Sequence, residues 1–402
     1  MSPILPFDVI ALIIDIIGET QDKNSLKELS LVSHCFVQIC RKHLFATVKL
    51  HSAHSQLKLA SSKRGFSKLL KSTPDVVNYI RKLTYEVRDK TGSDDHLLSP
   101  VILSNFLPTV SRLNCLKITA SHRDWNTLDS SLTSVFLHLM LLPTINHVAV
   151  SYIANFPLSS LTLSVNLLRL DLENATLWGG GLGGWGYSDE ILQSETSDSM
   201  PKIREFDTSY STDLTNKLLH AKRQDGRPAF NFMDLRGVSM SFHDRDDEQN
   251  IRYLLQNAKL LEKLHLKVFA DQSIVGILSL SACTLKVLHL RVYLYHNGGS
   301  LAGLCEELEA MAGHNMLEAL FLEVLLFVNH TIDFVGSKIQ EVENVLVKPG
   351  WSALRQVSFK LPLSRWGDCT ELEEALQSLP DKYLSHLPKL ESVAFNYSVY
   401  VE

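Results

Sequence analysis

The sequence predicts an α/β protein in which a short N-terminal helical module precedes a long array of strand-and-helix repeats. Within the 402 residues, the first fifty carry apolar side chains at helical spacing, and one short apolar pattern recurs from residue 80 to the end. A chain of this length exceeds what a single ordinary core covers. We therefore expect a helical module at residues 1–50, a helical connector at 51–79 and a repeat region at 80–402.

The first predicted helix follows Pro6, which suits a helix start because it lacks an N–H group. Gly18 is the expected end of this helix. Its apolar residues recur at one helical spacing and form a single stripe: Val9, Leu12, Ile13, Ile16 and Ile17.

Two more short helices are expected before residue 50. Ser25 and Glu28 have the spacing of a capping box, so the second helix should begin at Ser25. Ser33 can cap the third helix. Ile10, Ile14 and Val37 fall off the apolar stripes, which predicts additional apolar surface that needs a cover. The alternative interpretation of this module is an ordinary helical cap on the repeats.

The order and spacing of these residues resemble the F-box. Leu5-Pro6-Phe7-Asp8-Val9 supplies the opening, and Leu31-Val32-Ser33 precedes the third helix, although the usual tryptophan near the end of that helix is missing. The resemblance implies that the module binds a Skp-type adaptor and, through it, a cullin scaffold. The residues it assigns to adaptor binding are Leu5, Pro6, Ile13, Leu31, Val32 and Phe36.

The repeat region is defined by the pattern apolar-x-x-apolar-x-apolar, whose last two apolar positions alternate with polar ones as in a strand with one buried face. Return helices fit between the copies, most clearly at 301–312 and 332–347. The eleven copies begin at Ile80, Leu113, Ile145, Leu167, Ile203, Phe230, Leu261, Leu285, Leu317, Leu354 and Leu390.

This pattern resembles leucine-rich repeats. The Asn or Cys expected at the ninth position is absent, so the turns need another source of hydrogen bonds. The resemblance implies an irregular, curved leucine-rich-repeat-like solenoid with helices on the outside. Polar loops are expected at 89–99, 179–199 and 243–250.

Outward-facing positions of successive repeats should lie on neighbouring strands, about 4.8 Å apart. One predicted row consists of the side chains that stand between the last two apolar residues of each pattern. A second, largely basic row consists of the side chains that stand just after each pattern. An acidic or phosphorylated peptide would suit the basic row, whereas the simpler interpretation is charge for solubility. The first row contains Asp171, Asp207, Asp234, His265 and His289, and the second contains Glu173, Ser209, Arg236, Lys267 and Arg291.

Other chemistry is not indicated. The formal charge of −5 gives no reason to expect nucleic acid, and no stretch approaches 18 uninterrupted apolar residues, so no membrane span is expected. The six cysteines form no CxxC, and neither His51 with His54 nor His243 has a second ligand at metal-site spacing. Gly179, Gly181 and Gly184 have dinucleotide-motif spacing but precede no helix start. We expect no catalytic residue, metal or cofactor, and a cytoplasmic or nuclear protein.

By resemblance, the chain is expected to be the substrate-recruiting subunit of an SCF-type ubiquitin ligase that holds a protein partner on its repeats. Two alternatives stay open. One is an adaptor-bound scaffold that never delivers ubiquitin, and the other is an enzyme on an α/β fold.

Overall fold

The computed structural model describes residues 6–20, 22–51, 69–70, 72–87, 110–177, 200–269, 272–294, 301, 303–326, 332–363 and 370–401. The chain divides into two compact units. Unit 1 comprises Met1–Pro201 with Arg223–Asp225, and unit 2 comprises Lys202–Lys222 with Gly226–Glu402. Within the described ranges, no helix has the length and apolar character needed to cross a membrane. The loops predicted at 89–99 and 179–199, and Leu5, lie outside the described residues.

Unit 1 begins with three helices, α1 (Phe7–Glu19), α2 (Lys23–Val32) and α3 (His34–Leu44). The predicted start of α2 at Ser25 is wrong. The carboxylate of Asp22 accepts hydrogen bonds from the backbone N–H groups of Asn24 and Ser25, both at 3.1 Å, and so begins the helix earlier. Ser33 is the N-cap of α3 as predicted, but its side chain makes no capping hydrogen bond.

The module's core is formed by Ile14, Leu26 and Cys40, one residue from each helix. Ile14 was predicted to lie off the buried stripe, yet it is fully buried, and Ile10 and Ile17 pack against the same core. The predicted stripe of α1 therefore faces outward except at Ile17. Helix α1 is apolar around most of its circumference, so spacing alone could not identify the face that meets the other two helices.

The rest of unit 1 alternates strands with short helices. Where the structure describes this unit, five strands pair in parallel and in chain order, as the strand pattern predicted, although β1 was not among the predicted copies. The elements are β1 (Thr47–His51), β2 (Lys82–Val87), β3 (Cys115–Asp124), α4 (Ser130–Met140), β4 (His147–Ala154), α5 (Leu158–Thr162) and β5 (Arg169–Glu173), with 3-10 turns at Pro74–Tyr79 and Trp125–Thr127.

Unit 2 repeats the same plan, and its described ranges hold seven strands, again parallel and in chain order. Return helices follow the strands where the sequence predicted them. The elements are β6 (Glu205–Ser209), α6 (Thr212–His220), β7 (Gly237–Phe242), α7 (Arg245–Asn257), β8 (Lys263–Phe269), β9 (Val287–Leu294), α8 (Leu304–Met311), β10 (Ala319–Leu326), α9 (Ile332–Leu346), β11 (Gln356–Leu363), α10 (Thr370–Gln377), α11 (Leu379–Tyr383) and β12 (Ala394–Val401), with 3-10 turns at Leu278–Ser281 and Leu387–Lys389.

The predicted strand register is confirmed for most repeats. In unit 2, Leu264 pairs with Leu288, which pairs with Leu320, which pairs with Val357. All four are almost completely buried. Stacking identical apolar positions on adjacent strands gives each repeat a core that it could not form alone. The α/β class with helices at the N-terminus is thus confirmed.

Two repeats have a different register from the predicted one. The pattern beginning at Phe230 places a strand at Met233 and Leu235, but the strand is β7, and Val238 is the residue that pairs with Leu264. Met233 is about half exposed, which shows that its side chain does not enter the core. The copy beginning at Leu390 is shifted by two residues, because Phe395 pairs with Val357. In the first stretch, Leu235, Val238 and Met240 also fit the pattern. In the second, the observed register has the polar Ser392 at the first position of the pattern, so the pattern matched two residues too early.

Buried carboxylates on two return helices accept backbone hydrogen bonds from other connections of unit 2. Glu343 of α9 accepts backbone N–H groups from Ser385, His386 and Leu387 at 3.2, 2.8 and 2.8 Å. Glu307 of α8 accepts those of Gly276 and Ser279. Each carboxylate therefore satisfies otherwise orphaned donors of a connection that follows in the chain or precedes it.

Residues 243–250, predicted as a polar loop, instead hold the start of a helix. Asp244 caps α7 by accepting the N–H groups of Asp246 and Asp247 at 2.9 Å, and acidic side chains occupy the first turn, where the helix dipole favours them. Asp247 also accepts hydrogen bonds from the Thr212 hydroxyl at 2.7 Å and the His243 N–H at 3.0 Å. Burial raises the pKa of Asp247 to about 6, although these hydrogen bonds act in the opposite direction.

Candidate functional site

The N-terminal module carries an outward apolar surface on two consecutive helices. Leu31 and Val32, at the end of α2, are 87% and 71% exposed, and Leu12 on α1 is 61% exposed. Side chains of this type are stabilised by about 1.5–3 kcal/mol each when they are fully covered. In the described part of the module, the large exposed apolar residues, which we call the outer apolar surface, are Phe7, Val9, Leu12, Ile13, Ile16, Leu31 and Val32.

The residues assigned to adaptor binding fall into two groups. Pro6, Ile13, Leu31 and Val32 are exposed and available to a partner. Phe36 is half-buried and packs against the module's own core, so it contributes to the fold of the module. The sequence could not make this division, because both groups are apolar and lie on short helices.

A polar contact fixes α1 against α3 and so sets the direction in which the outer apolar surface faces. His43 Nε2 lies 2.6 Å from the Asp15 carboxylate, and Lys42 Nζ donates to the same oxygen at 3.2 Å. The hydrogen bond from His43 is the main reason that the pKa of Asp15 lies below its ordinary value. A side chain at Gly18 would overlap the His43 ring, so this glycine permits the close approach rather than ending the helix.

A second candidate surface lies on the sheet of unit 2, on the face opposite the buried leucines. His265 and His289 are paired in register and their rings stack at 4.3 Å. Lys267 and Arg291 are paired two residues further along the same strands. These four predicted residues are therefore brought together, in two rows of outward-facing side chains.

The other two predicted partner-binding residues do not belong to these rows. Asp234 and Arg236 precede β7, and their places are taken by Ser239, which pairs with His265, and Ser241, which pairs with Lys267. The correction follows directly from the register of β7, which differs from the predicted one by five residues. The partner-binding role predicted for Asp234 and Arg236 loses the alignment on which it was based.

Continuing the rows along the sheet adds residues that the sequence reasoning missed. Glu323 pairs with Arg291 on one side and with Lys360 on the other. Its side chain is only 11% exposed and lies 3.3 Å from His289 Nε2, 3.9 Å from Arg291 Nε and 3.6 Å from Lys360 Nζ. Glu323 and Lys360 each occupy the position just after the pattern in their repeats. Extending the predicted basic row by two repeats would therefore have found both residues.

The charge on this face comes from the lysine and arginine side chains and not from His265. Burial, together with nearby His289 and Lys267, lowers the pKa of His265 to about 4, so this ring is neutral at neutral pH. In the described part of the chain, no group of three or more His, Cys, Asp or Glu side chains is arranged to bind a metal ion.

Unit 1 has its own polar row, which contains the predicted residue Asp171. His147 Nε2 lies 2.8 Å from the Asp171 carboxylate, His147 Nδ1 lies 3.3 Å from Cys115 Sγ, and Arg169 donates to Asp171 at 2.9 Å. Burial lowers the pKa of His147, but Asp171 and Cys115 outweigh this effect and raise it to about 9. Asp171 is thus engaged within the unit by two basic side chains.

No family model matches the chain, and no curated protein matches its sequence. The chain's function must therefore be inferred from its own residues and their arrangement.

Proposed function

We propose that the chain is the substrate-recruiting subunit of an SCF-type ubiquitin ligase. In this proposal the N-terminal module binds a Skp-type adaptor, and the repeats hold a protein partner. The single observation that supports it most strongly is the outer apolar surface. In the described part of the module, seven large apolar side chains are exposed, whereas three residues are fully buried in its core. Exposed apolar surface on this scale is typical of a protein–protein contact.

The position of the outer apolar surface agrees with the F-box resemblance. Ile13, Leu31 and Val32 were assigned to adaptor binding by the F-box resemblance, and all three are exposed. An ordinary helical cap would use its apolar residues to cover the end of the repeats. A docking module instead retains exposed apolar residues until the partner covers them.

We also propose that the repeats form an open, leucine-rich-repeat-like solenoid. The alternative for parallel strands in chain order is a closed barrel, whose interior is filled by packed apolar side chains. In unit 2, the sheet face opposite the buried leucines instead carries His289, Arg291 and Lys360, which retain solvent exposure of 31%, 21% and 41%. Charged, partly hydrated side chains favour a sheet face that is open to solvent and to a partner.

The adaptor part of the proposal is tested by co-expressing the full chain with a Skp-type adaptor and measuring co-purification. Leu5→Ala with Pro6→Ala should weaken capture sharply, since truncating buried interface anchors costs about 2 kcal/mol or more. Removing residues 1–50 altogether is a poorer test, because β1 pairs with β2 and the deletion would also damage unit 1.

The control is Leu260→Ala with Met316→Ala, two apolar residues of unit 2 that are 47% and 48% exposed. This variant should capture the adaptor as well as the unmodified chain. Equal capture by the Leu5/Pro6 variant and the unmodified chain would contradict the assignment. Partner turnover that continues when the cullin is blocked would favour the non-degradative scaffold instead.

A further inference from the structure

The open sheet face of unit 2 carries a row of cations whose charge is only partly balanced. Arg291 and Lys360 lie beside one carboxylate, Glu323, whereas Lys267 has no ion pair with a carboxylate of the described residues. Among the described residues, this row holds three positive charges and one negative charge. Asp207 is in the histidine row, but it pairs with Ser239 and is separated from His265 by a strand. An anionic ligand is therefore favoured next to Lys267.

A row of aromatic rings runs beside these cations. The ring centroids of Tyr210 and His243 are 4.2 Å apart, those of His243 and Phe269 4.2 Å, and those of Phe269 and Tyr293 4.6 Å. The Arg291 guanidinium lies 5.5 Å from the centre of the Tyr293 ring. Partly exposed, stacked rings next to cations suit an aromatic side chain better than an aliphatic one, because aromatic pairs gain from ring geometry as well as from burial.

The spacing of the two rows matches that of an extended peptide. Lys267 and Phe269 are two residues apart on β8, as Arg291 and Tyr293 are on β9. Alternate residues of a strand lie about 6.6 Å apart and point to the same side. A peptide in the same extended conformation repeats its side chains at this distance, so an acidic residue and an aromatic residue two positions apart would reach the two rows together.

We propose that the open sheet face of unit 2 binds an extended acidic peptide in which an aromatic side chain stands two residues from a carboxylate. A carboxylate of the peptide pairs with the neighbouring Lys267 and Arg291, and the aromatic side chain two residues away packs on the rings of Phe269 and Tyr293. Identifying this peptide as part of a ubiquitination substrate rests on the proposed function, but the binding itself does not.

The test is fluorescence anisotropy of a labelled peptide of sequence Glu-Ser-Phe-Ser-Glu-Ser-Phe with the purified full chain. A peptide with lysine in place of glutamate and a peptide with alanine in place of phenylalanine are the comparisons. The acidic aromatic peptide should bind at least about tenfold more tightly than either, and added salt should weaken its binding. Equal binding of the three peptides would overturn the proposal, as would a requirement for phosphoserine in place of glutamate.

Lys267→Glu should weaken binding of the acidic aromatic peptide by about tenfold or more. Lys259→Glu is the matched control, since Lys259 is exposed before β8 and undergoes the same charge change outside the rows. A Lys267→Glu chain that melts like the unmodified chain and binds the peptide equally well would overturn the proposal. If that variant fails to fold, Lys267→Gln provides the same comparison.

Adaptor capture by the same samples separates this inference from the proposed function. Lys267→Glu should capture the Skp-type adaptor normally, because the outer apolar surface is unchanged. A chain that binds the peptide and never captures the adaptor would refute the proposed function and support the peptide site. Adaptor capture without selective peptide binding would refute the peptide site alone.

Discussion

Helix α1 of the N-terminal module and strand β9 of the repeats are both rich in large apolar residues, but they use them in opposite ways. In β9, Leu288 and Leu290 are fully buried. In α1, Leu12 and Ile16 are more than half exposed, and Ile14 alone is fully buried. An apolar pattern therefore shows where apolar surface exists, while burial decides whether that surface stabilises the fold or remains available to a partner.

The largest expected effect is on the repeats. Leu288→Asp would place a carboxylate between Leu264 and Leu320 on a buried sheet face, and should destabilise unit 2 by about 4 kcal/mol or more. Chemical denaturation of the variant measures this directly. Lys263→Ala, at an exposed position on β8, is the control and should change stability by no more than about 0.5 kcal/mol. Similar tolerance of both substitutions would contradict the strand register.

A smaller effect is expected within the N-terminal module, where neighbouring residues of α1 should differ. Ile14→Ala removes a fully buried side chain and should cost about 2–4 kcal/mol. Ile13→Ala, one position away and 42% exposed, should cost less than about 1 kcal/mol. Thermal unfolding of the two variants makes the comparison. A larger loss of stability from Ile13→Ala than from Ile14→Ala would show that α1 presents its opposite face to the module's core.

A still smaller and pH-dependent effect is expected from His147 in unit 1. Its pKa is raised to about 9 in the folded chain, above the ordinary value of about 6.5, so its stabilising contribution is complete below pH 6.5 and is lost as the pH rises through 9. Because the pair with Asp171 retains solvent contact, the loss should be about 1–2 kcal/mol. Denaturation between pH 6 and about pH 9.5 should show this decline, and Asp171→Asn should largely remove it. An unchanged slope in that variant would assign the effect to another group.

The sequence predicted those parts of the molecule that depend on repetition. Leu264, Leu288 and Leu320 occupy the same position in successive copies. Their register could be found because each copy is located by its own pattern, so a wrong register in one copy leaves the next copy unaffected. The register at Met233 could not be found, because Leu235, Val238 and Met240 offer a second match to the pattern a few residues later. Local spacing does not choose between two matches of equal quality.

The sequence did not predict features that depend on contacts between distant positions. Glu343 caps a connection more than forty residues away, and nothing in its own helix marks it as buried. The orientation of α1 likewise depends on the pairing of Asp15 with His43, across 28 residues. The exposed adaptor candidates Leu31 and Val32 were identified from the F-box resemblance, whereas the ring row beside Lys267 became visible only when the strands were aligned in space.

The measurement that tests the central claim most directly is the affinity of the purified full chain for a Skp-type adaptor, determined by titration for the unmodified chain and for Leu31→Ser with Val32→Ser. Because these two side chains are the most exposed of the outer apolar surface, the variant should unfold at the same temperature as the unmodified chain. Its affinity should fall at least about tenfold. Unchanged affinity in a stable variant would show that the outer apolar surface is not the adaptor-binding site.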